Sequence, residues 1–165
     1  MMGSEKSVTL LLLAMLAAGT LATCSDPMTT EANAGQSAGP QASAGLESFL
    51  ESYFASWSSG DMGAYEAHFD QHALIMFVEN GQIRSALPSD SFVALQSKLI
   101  ADAKTPMVER MTSYAADADG TAATVAAKWL LERSDETETG TDRFTLIRDG
   151  RGNWKIVFLL FYLDR

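Results

Sequence analysis

The chain has 165 residues, a formal net charge of −9 and a pI near 4.6. That excess of acid argues against nucleic acid and against docking on anionic lipid headgroups, since both call for a basic face. A single cysteine leaves no intramolecular disulfide, so packing must hold the fold.

The N-terminus carries Lys6, then a mostly apolar run from Val8 to Leu21, then Leu21-Ala22-Thr23-Cys24. The run is too short to cross a bilayer and ends in small residues, the order of a secretory signal peptide. Cys24 at its end resembles the lipobox of bacterial lipoproteins, where the cysteine is acylated and becomes the new N-terminus. The resemblance implies lipidation at Cys24, a signal peptide over 1–23, and an exported lipoprotein at the periplasmic face of the cell envelope. Thr23 departs from the Gly, Ala or Ser usual before the cysteine. Ordinary signal-peptidase cleavage near Ala22 is the alternative, with Cys24 left as a free thiol. Residues 24–45 are rich in Ala, Ser, Gly, Thr and Pro, without aromatics or apolar periodicity, which predicts a flexible tether. Residues 46–165 then form one domain of ordinary size.

Leu46, Phe49, Leu50, Tyr53, Phe54 and Trp57 fall on one side of a helix. Gly60 is a natural left-handed cap, and Asp61 can N-cap a second short helix carrying Tyr65 and Phe69. Ala73–Val78 is a short apolar strand, and Asn80-Gly81 before Gln82–Ser85 predicts a hairpin. Pro88-Ser89-Asp90 opens a third helix with Phe92, Leu95, Leu99 and Ala103 on its buried side, stopped by Thr105-Pro106. From Val108 onward the period becomes two. Strands are predicted over 108–116, 121–133, 142–148 and 154–163, with 134–140 as an acidic polar loop. Helices followed by a strand meander argue for an α+β fold. In the last strand Trp154, Ile156, Phe158, Leu160 and Tyr162 line one face, and Val157, Leu159, Phe161 and Leu163 the other. One face meets the helices. The other leaves an apolar patch, which predicts a homodimer through the sheet; the alternative is that the third helix or the tether covers it.

Phe54-Ala55-Ser56-Trp57-Ser58-Ser59-Gly60-Asp61, followed by His68-Phe69-Asp70-Gln71-His72-Ala73, resembles the opening of nuclear transport factor 2-like (SnoaL-like) domains. Gly140-Thr141-Asp142-Arg143-Phe144-Thr145 and Gly152-Asn153-Trp154-Lys155-Ile156-Val157 are similar to that family's last hairpin. The resemblance spans Leu46–Arg165. It implies a cone-shaped, curved antiparallel sheet packed on about three N-terminal helices, dimeric, with a pocket inside the cone. Relatives include isomerases, dehydratases and cyclases, and others that bind ligands or proteins, so the fold leaves the activity open.

Isomerases of that kind carry a general base near the end of the first strand. The resemblance places it at Phe77, and the polar positions of the last strand at Phe158 and Leu160. Apolar side chains there remove the usual route for a proton. A slip of one or two residues would bring Glu79 to the base position; Asp70 is the other carboxylate considered, with Tyr53 as hydrogen-bond donor. His68 and His72 at i, i+4 could share a metal on a helix, but no third ligand is identifiable, so no metal is expected. Asp135, Glu136 and Glu138 lack the alternating ligand series of a calcium loop. Asp149-Gly150-Arg151-Gly152 has no following helix to make a phosphate cradle, and no cofactor is expected. Neither histidine is linked by spacing to a serine nucleophile. An aromatic pocket remains, with Tyr53, Trp57, Tyr65, Phe77, Trp129, Arg143 and Phe158 as its candidate lining. Each aromatic could equally fill the core, and Arg143 would need an anionic partner if it faced inward. The expected function is a lipid-anchored envelope protein, non-catalytic, binding a small hydrophobic ligand or a protein. The alternative is an enzyme of the isomerase, dehydratase or cyclase kind.

Overall fold

The computed structural model describes residues 45–134 and 136–164. Cys24, the expected signal segment and the expected tether up to residue 44 lie outside the described residues, as does Asp135. Among the described residues, no helix is long and apolar enough to cross a membrane.

Helix α1 (Leu46–Ser59) buries Leu46, Leu50, Tyr53, Phe54 and Trp57, the stripe its periodicity predicts. Gly60 ends it in the left-handed region at φ 73°, and the Asp61 N–H closes the cap on the Ser56 carbonyl at 3.0 Å, a Schellman arrangement. Asp61 then caps α2 (Met62–Glu66), its Oδ1 accepting from the Ala64 N–H at 3.0 Å. Strands β1 (Phe69–Glu79) and β2 (Gln82–Pro88) meet at Asn80-Gly81, both with positive φ, as a two-residue hairpin turn requires. Both strands run longer than their apolar cores suggest. Helix α3 (Ser89–Asp102) turns its face one residue from expectation. Phe92 and Val93 are buried, whereas Leu95 is exposed and Ala103 lies beyond the helix.

Strands β3 (Met107–Ala118), β4 (Ala122–Arg133), β5 (Glu136–Arg148) and β6 (Trp154–Leu163) complete the sheet. The acidic loop expected over 134–140 is mostly strand: Arg133 pairs with Glu136 and Leu131 with Glu138. The β-branched threonines Thr137 and Thr139 alternate there with the acids and suit a pleated surface. Arg133 meets Glu138 in an ion pair.

The strand order is β2-β1-β6-β5-β4-β3. β1 and β6 run parallel, whereas every other neighbouring pair is antiparallel. This corrects the expected cone of antiparallel strands. The sheet is mixed, β2 and β3 stand at its two edges, and it is neither closed nor strongly curled. The first and last strands of the domain lie side by side in the middle of the sheet, which the meander alone could not produce. Helix α1 packs on β3 and α3 on β1, and the core lies between the helices and one face of the sheet.

A second correction concerns β6. Thr145 pairs with Phe158, but Leu146 pairs with Ile156, so Val157 is an extra residue in a β-bulge. A bulge reverses the alternation beyond it. Trp154 and Ile156 face the core before the bulge, and Leu159 faces it after the bulge. Phe161 and Leu163 pack on the core at their edges. Phe158, Leu160 and Tyr162 are half-buried on the other side.

Candidate functional site

The sheet's helix-facing side carries one buried acid. On β5 the inward positions are Gly140, Asp142, Phe144 and Leu146; Asp142 is 4% exposed and lies between apolar neighbours. Its Oδ1 accepts a hydrogen bond from Trp129 Nε1 at 2.8 Å. The strand register brings the indole there: Trp129 pairs with Gly140 across β4 and β5. A Cβ at residue 140 would lie 2.1 Å from the Trp129 ring, so only glycine leaves space for it. Burial pushes the Asp142 carboxyl up to about 7, against the lowering effect of the Trp129 bond.

Glu109 on β3 shares that field. As a residue it is half-buried, with its carboxyl turned inward. Burial first, and the nearby Asp142 second, hold it well above the usual carboxylate range. Its backbone is tied to α1, since Ser58 Oγ donates to the Glu109 carbonyl at 2.7 Å and accepts from its N–H at 2.8 Å. Tyr53 and Tyr65 complete the group. Their hydroxyls lie 2.9 Å apart, and the Tyr53 ring meets Phe54, Phe69 and Phe144 edge-on. Burial raises both phenols, and Asp142 and Glu109 push each further. The arrangement is an aromatic shell beside two inward-facing carboxyls. Burial favours the protonated form of each carboxyl, or a donor from a bound molecule.

The other sequence candidates scatter. Trp57 is buried, donates from Nε1 to Gln96 Oε1 at 2.9 Å, and borders a groove of about 270 Å³ with Ser58–Gly60, Ile100 and 103–107. Phe77 packs on Phe161, ring centroids 5.0 Å apart, on a separate cleft of about 610 Å³ lined by Val78–Gly81 and Tyr162–Asp164. Arg143 is exposed on the opposite face, where its hydrogen bond lowers the Tyr162 phenol. Phe158 lies on that face as well, turned outward by the bulge. Tyr53, Tyr65 and Trp129 are therefore brought together, and Arg143 and Phe158 are not part of the interior. Glu79 is ion-paired with Arg84 at 3.0 Å. Asp70 caps the His72 N–H at 2.9 Å. Neither sits inside with Tyr53.

His68 and His72 are not neighbours on a helix. His68 is buried ahead of β1, and His72 is exposed within it. Among the described residues no three metal-ligating side chains converge. The residues that sequence reasoning missed are Asp142 and Glu109. Their only signal was a carboxylate on the same alternation as Phe144 and Leu146, and another on that of Met107 and Met111.

A family profile described as "Putative lumazine-binding" matches residues 41–162. No curated protein matches the chain. Among solved structures, a nuclear transport factor 2-like protein of unknown function from Pseudomonas putida superposes with a TM-score of 0.66 at 13% identity, over 76% of this chain and 89% of that one. A similar protein from Silicibacter pomeroyi gives 0.55 at 23% identity, over 73% and 94%. A cystatin-like fold from Nostoc punctiforme gives 0.62 at 8% identity, over 78% and 96%. The fold is thus of the nuclear transport factor 2-like and cystatin-like type.

Proposed function

The chain belongs to the "Putative lumazine-binding" family, and from that premise we propose that it is an exported, lipid-anchored protein whose domain binds a small molecule in its interior. The observation that carries the reading is Asp142. A carboxyl buried among apolar side chains, raised to about 7 by that burial and bonded by Trp129, is costly in its charged form unless a further donor meets it. Asp142 and Glu109 would accept N–H or O–H groups from the ligand, and Trp129, Tyr53 and Tyr65 would pack on an apolar or aromatic body. The family's description names lumazine, a flat heteroaromatic ring with N–H donors, which has the chemistry such a site favours. The groove at the end of α1 includes Ser58, whose hydroxyl bonds the Glu109 backbone. The ligand in this reading is amphipathic, where sequence reasoning expected a small hydrophobic ligand or a protein.

The test is native mass spectrometry of the protein purified without denaturation, followed by titration with lumazine. Retained or added ligand in the wild type, weakened about tenfold or more in Asp142→Asn, supports the reading; equal binding by both proteins overturns the role of Asp142. Anchoring is tested in a bacterial host, where the full chain partitions with membranes and Cys24→Ala does not. Equal partitioning would remove the lipid anchor from the proposal.

The Asp142 carboxyl, pushed to about 7, favours one second reading, an acid–base enzyme of the isomerase, dehydratase or cyclase kind. A general base with that affinity for a proton works best near neutrality. Turnover of an enolisable ketone, bending near pH 7 and lost in Asp142→Asn, would establish it.

A further inference from the structure

Helical serines ordinarily turn their hydroxyl back to the preceding turn, as Ser56 does to the Tyr53 carbonyl at 2.9 Å and Ser59 to the Ser56 carbonyl at 3.0 Å. Ser52 departs from this. Its Oγ lies 3.1 Å from His68 Nε2, and the residue is exposed on α1. His68 Nδ1 lies 3.3 Å from the Tyr65 carbonyl. A carbonyl only accepts, so Nδ1 carries the hydrogen, Nε2 keeps its lone pair, and the Ser52 hydroxyl donates to it. The ring is fixed edge-on by Phe49 at 5.2 Å and Tyr53 at 5.9 Å. Burial, and the Lys155 ammonium more weakly, lower the His68 imidazole, against the Tyr65 bond, so it is neutral at pH 7. A solvent-reachable hydroxyl, a neutral base behind it and a carbonyl orienting that base are the parts of an activated nucleophile.

We propose that Ser52, activated by His68, is a nucleophilic site that accepts acyl groups from small activated esters, separate from the interior around Asp142. Ser52 Oγ bonds to the ester carbonyl carbon while its proton passes to His68 Nε2. The bond from that carbon to the alcohol oxygen then breaks, and the departing oxygen takes the proton from Nε2. Water, deprotonated by the same nitrogen, then adds to the acyl carbon; the bond from that carbon to Ser52 Oγ breaks, the acid leaves, and Oγ takes the proton back from Nε2. Tyr65 acts only through its carbonyl, as a positioning residue.

The experiment treats the full chain with p-nitrophenyl acetate, and separately with a fluorophosphonate, and locates adducts by peptide mass spectrometry. The expected result is an adduct on the peptide containing Ser52 and release of nitrophenolate at least tenfold slower in Ser52→Ala, whose exposed position leaves the fold intact. His68→Gln, compared only where its circular dichroism matches the wild type, should leave Ser52 unlabelled. An unmodified Ser52 in the wild type overturns the proposal. So does equal labelling in a folded His68→Gln, which would mark an ordinary surface hydroxyl.

Discussion

Asp142 shows how one side chain ties stability to pH. Its carboxyl has an ordinary value of 3.8 and sits at about 7 in the folded chain, because burial disfavours the anion. Between those values the folded protein keeps a proton that the unfolded chain has lost. Stability therefore falls as pH rises from about 4 to about 7 and levels off above that. The loss is on the order of 4 kcal/mol for a shift of this size, and Glu109, raised by the same causes, adds in the same direction. Asn in place of Asp142 keeps an acceptor for Trp129 and removes the titration. Urea unfolding at pH 5 and pH 8 should show a marked drop for the wild type and a much smaller one for Asp142→Asn; equal drops would show that Asp142 is not buried as described. The inward position of Asp142 was legible from alternation with Phe144 and Leu146. Its partner was not, because Trp129 is a neighbour only through the pairing of β4 and β5.

At the scale of the element, that pairing depends on Gly140. The strand could not be read through residues 134–140, where acids and threonines carry no apolar period, so the glycine looked like the end of a loop. In the folded chain it is an interior strand position under the Trp129 indole. Gly140→Ala would place a methyl 2.1 Å from that ring and 2.6 Å from the Tyr162 carbonyl. The indole must move, leaving Asp142 Oδ1 without its donor. The expected cost is about 3 kcal/mol or more, from overpacking and a lost buried hydrogen bond together. Denaturant melts and tryptophan fluorescence would register it, and an unchanged midpoint would mean that the ring relaxes freely. The helices were more legible than the strands. The Gly60 cap of α1 and the Asp61 cap of α2 are local chemistry, whereas the α3 face depends on how the helix rolls against β1.

The domain of the described residues has two dissimilar sides. The helices cover one side of the open sheet, and the other presents Phe158, Leu160 and Leu74 beside a polar group made by Lys128, Thr141 and Asp164, with Lys128 2.9 Å from Asp164 and Thr141 donating to Asp164 at 3.0 Å. The homodimer expected from the sequence would pair this side with itself about a twofold axis. Light scattering on the wild type should give a dimer, and Phe158→Glu with Leu160→Glu a monomer. A monomeric wild type at micromolar concentration would end that expectation. The α+β class followed from element order, but the place of β6 beside β1 did not, since parallel neighbours from opposite ends of a domain leave no local trace. The insertion at Val157 has a consequence for any comparison made along β6. Odd and even positions exchange sides at that point, so a count carried straight from the Trp-x-Ile motif assigns every later residue to the wrong surface. Roles transferred from relatives lacking the insertion must be moved by one place, which puts Leu159 and Phe161 where Phe158 and Leu160 would otherwise be sought.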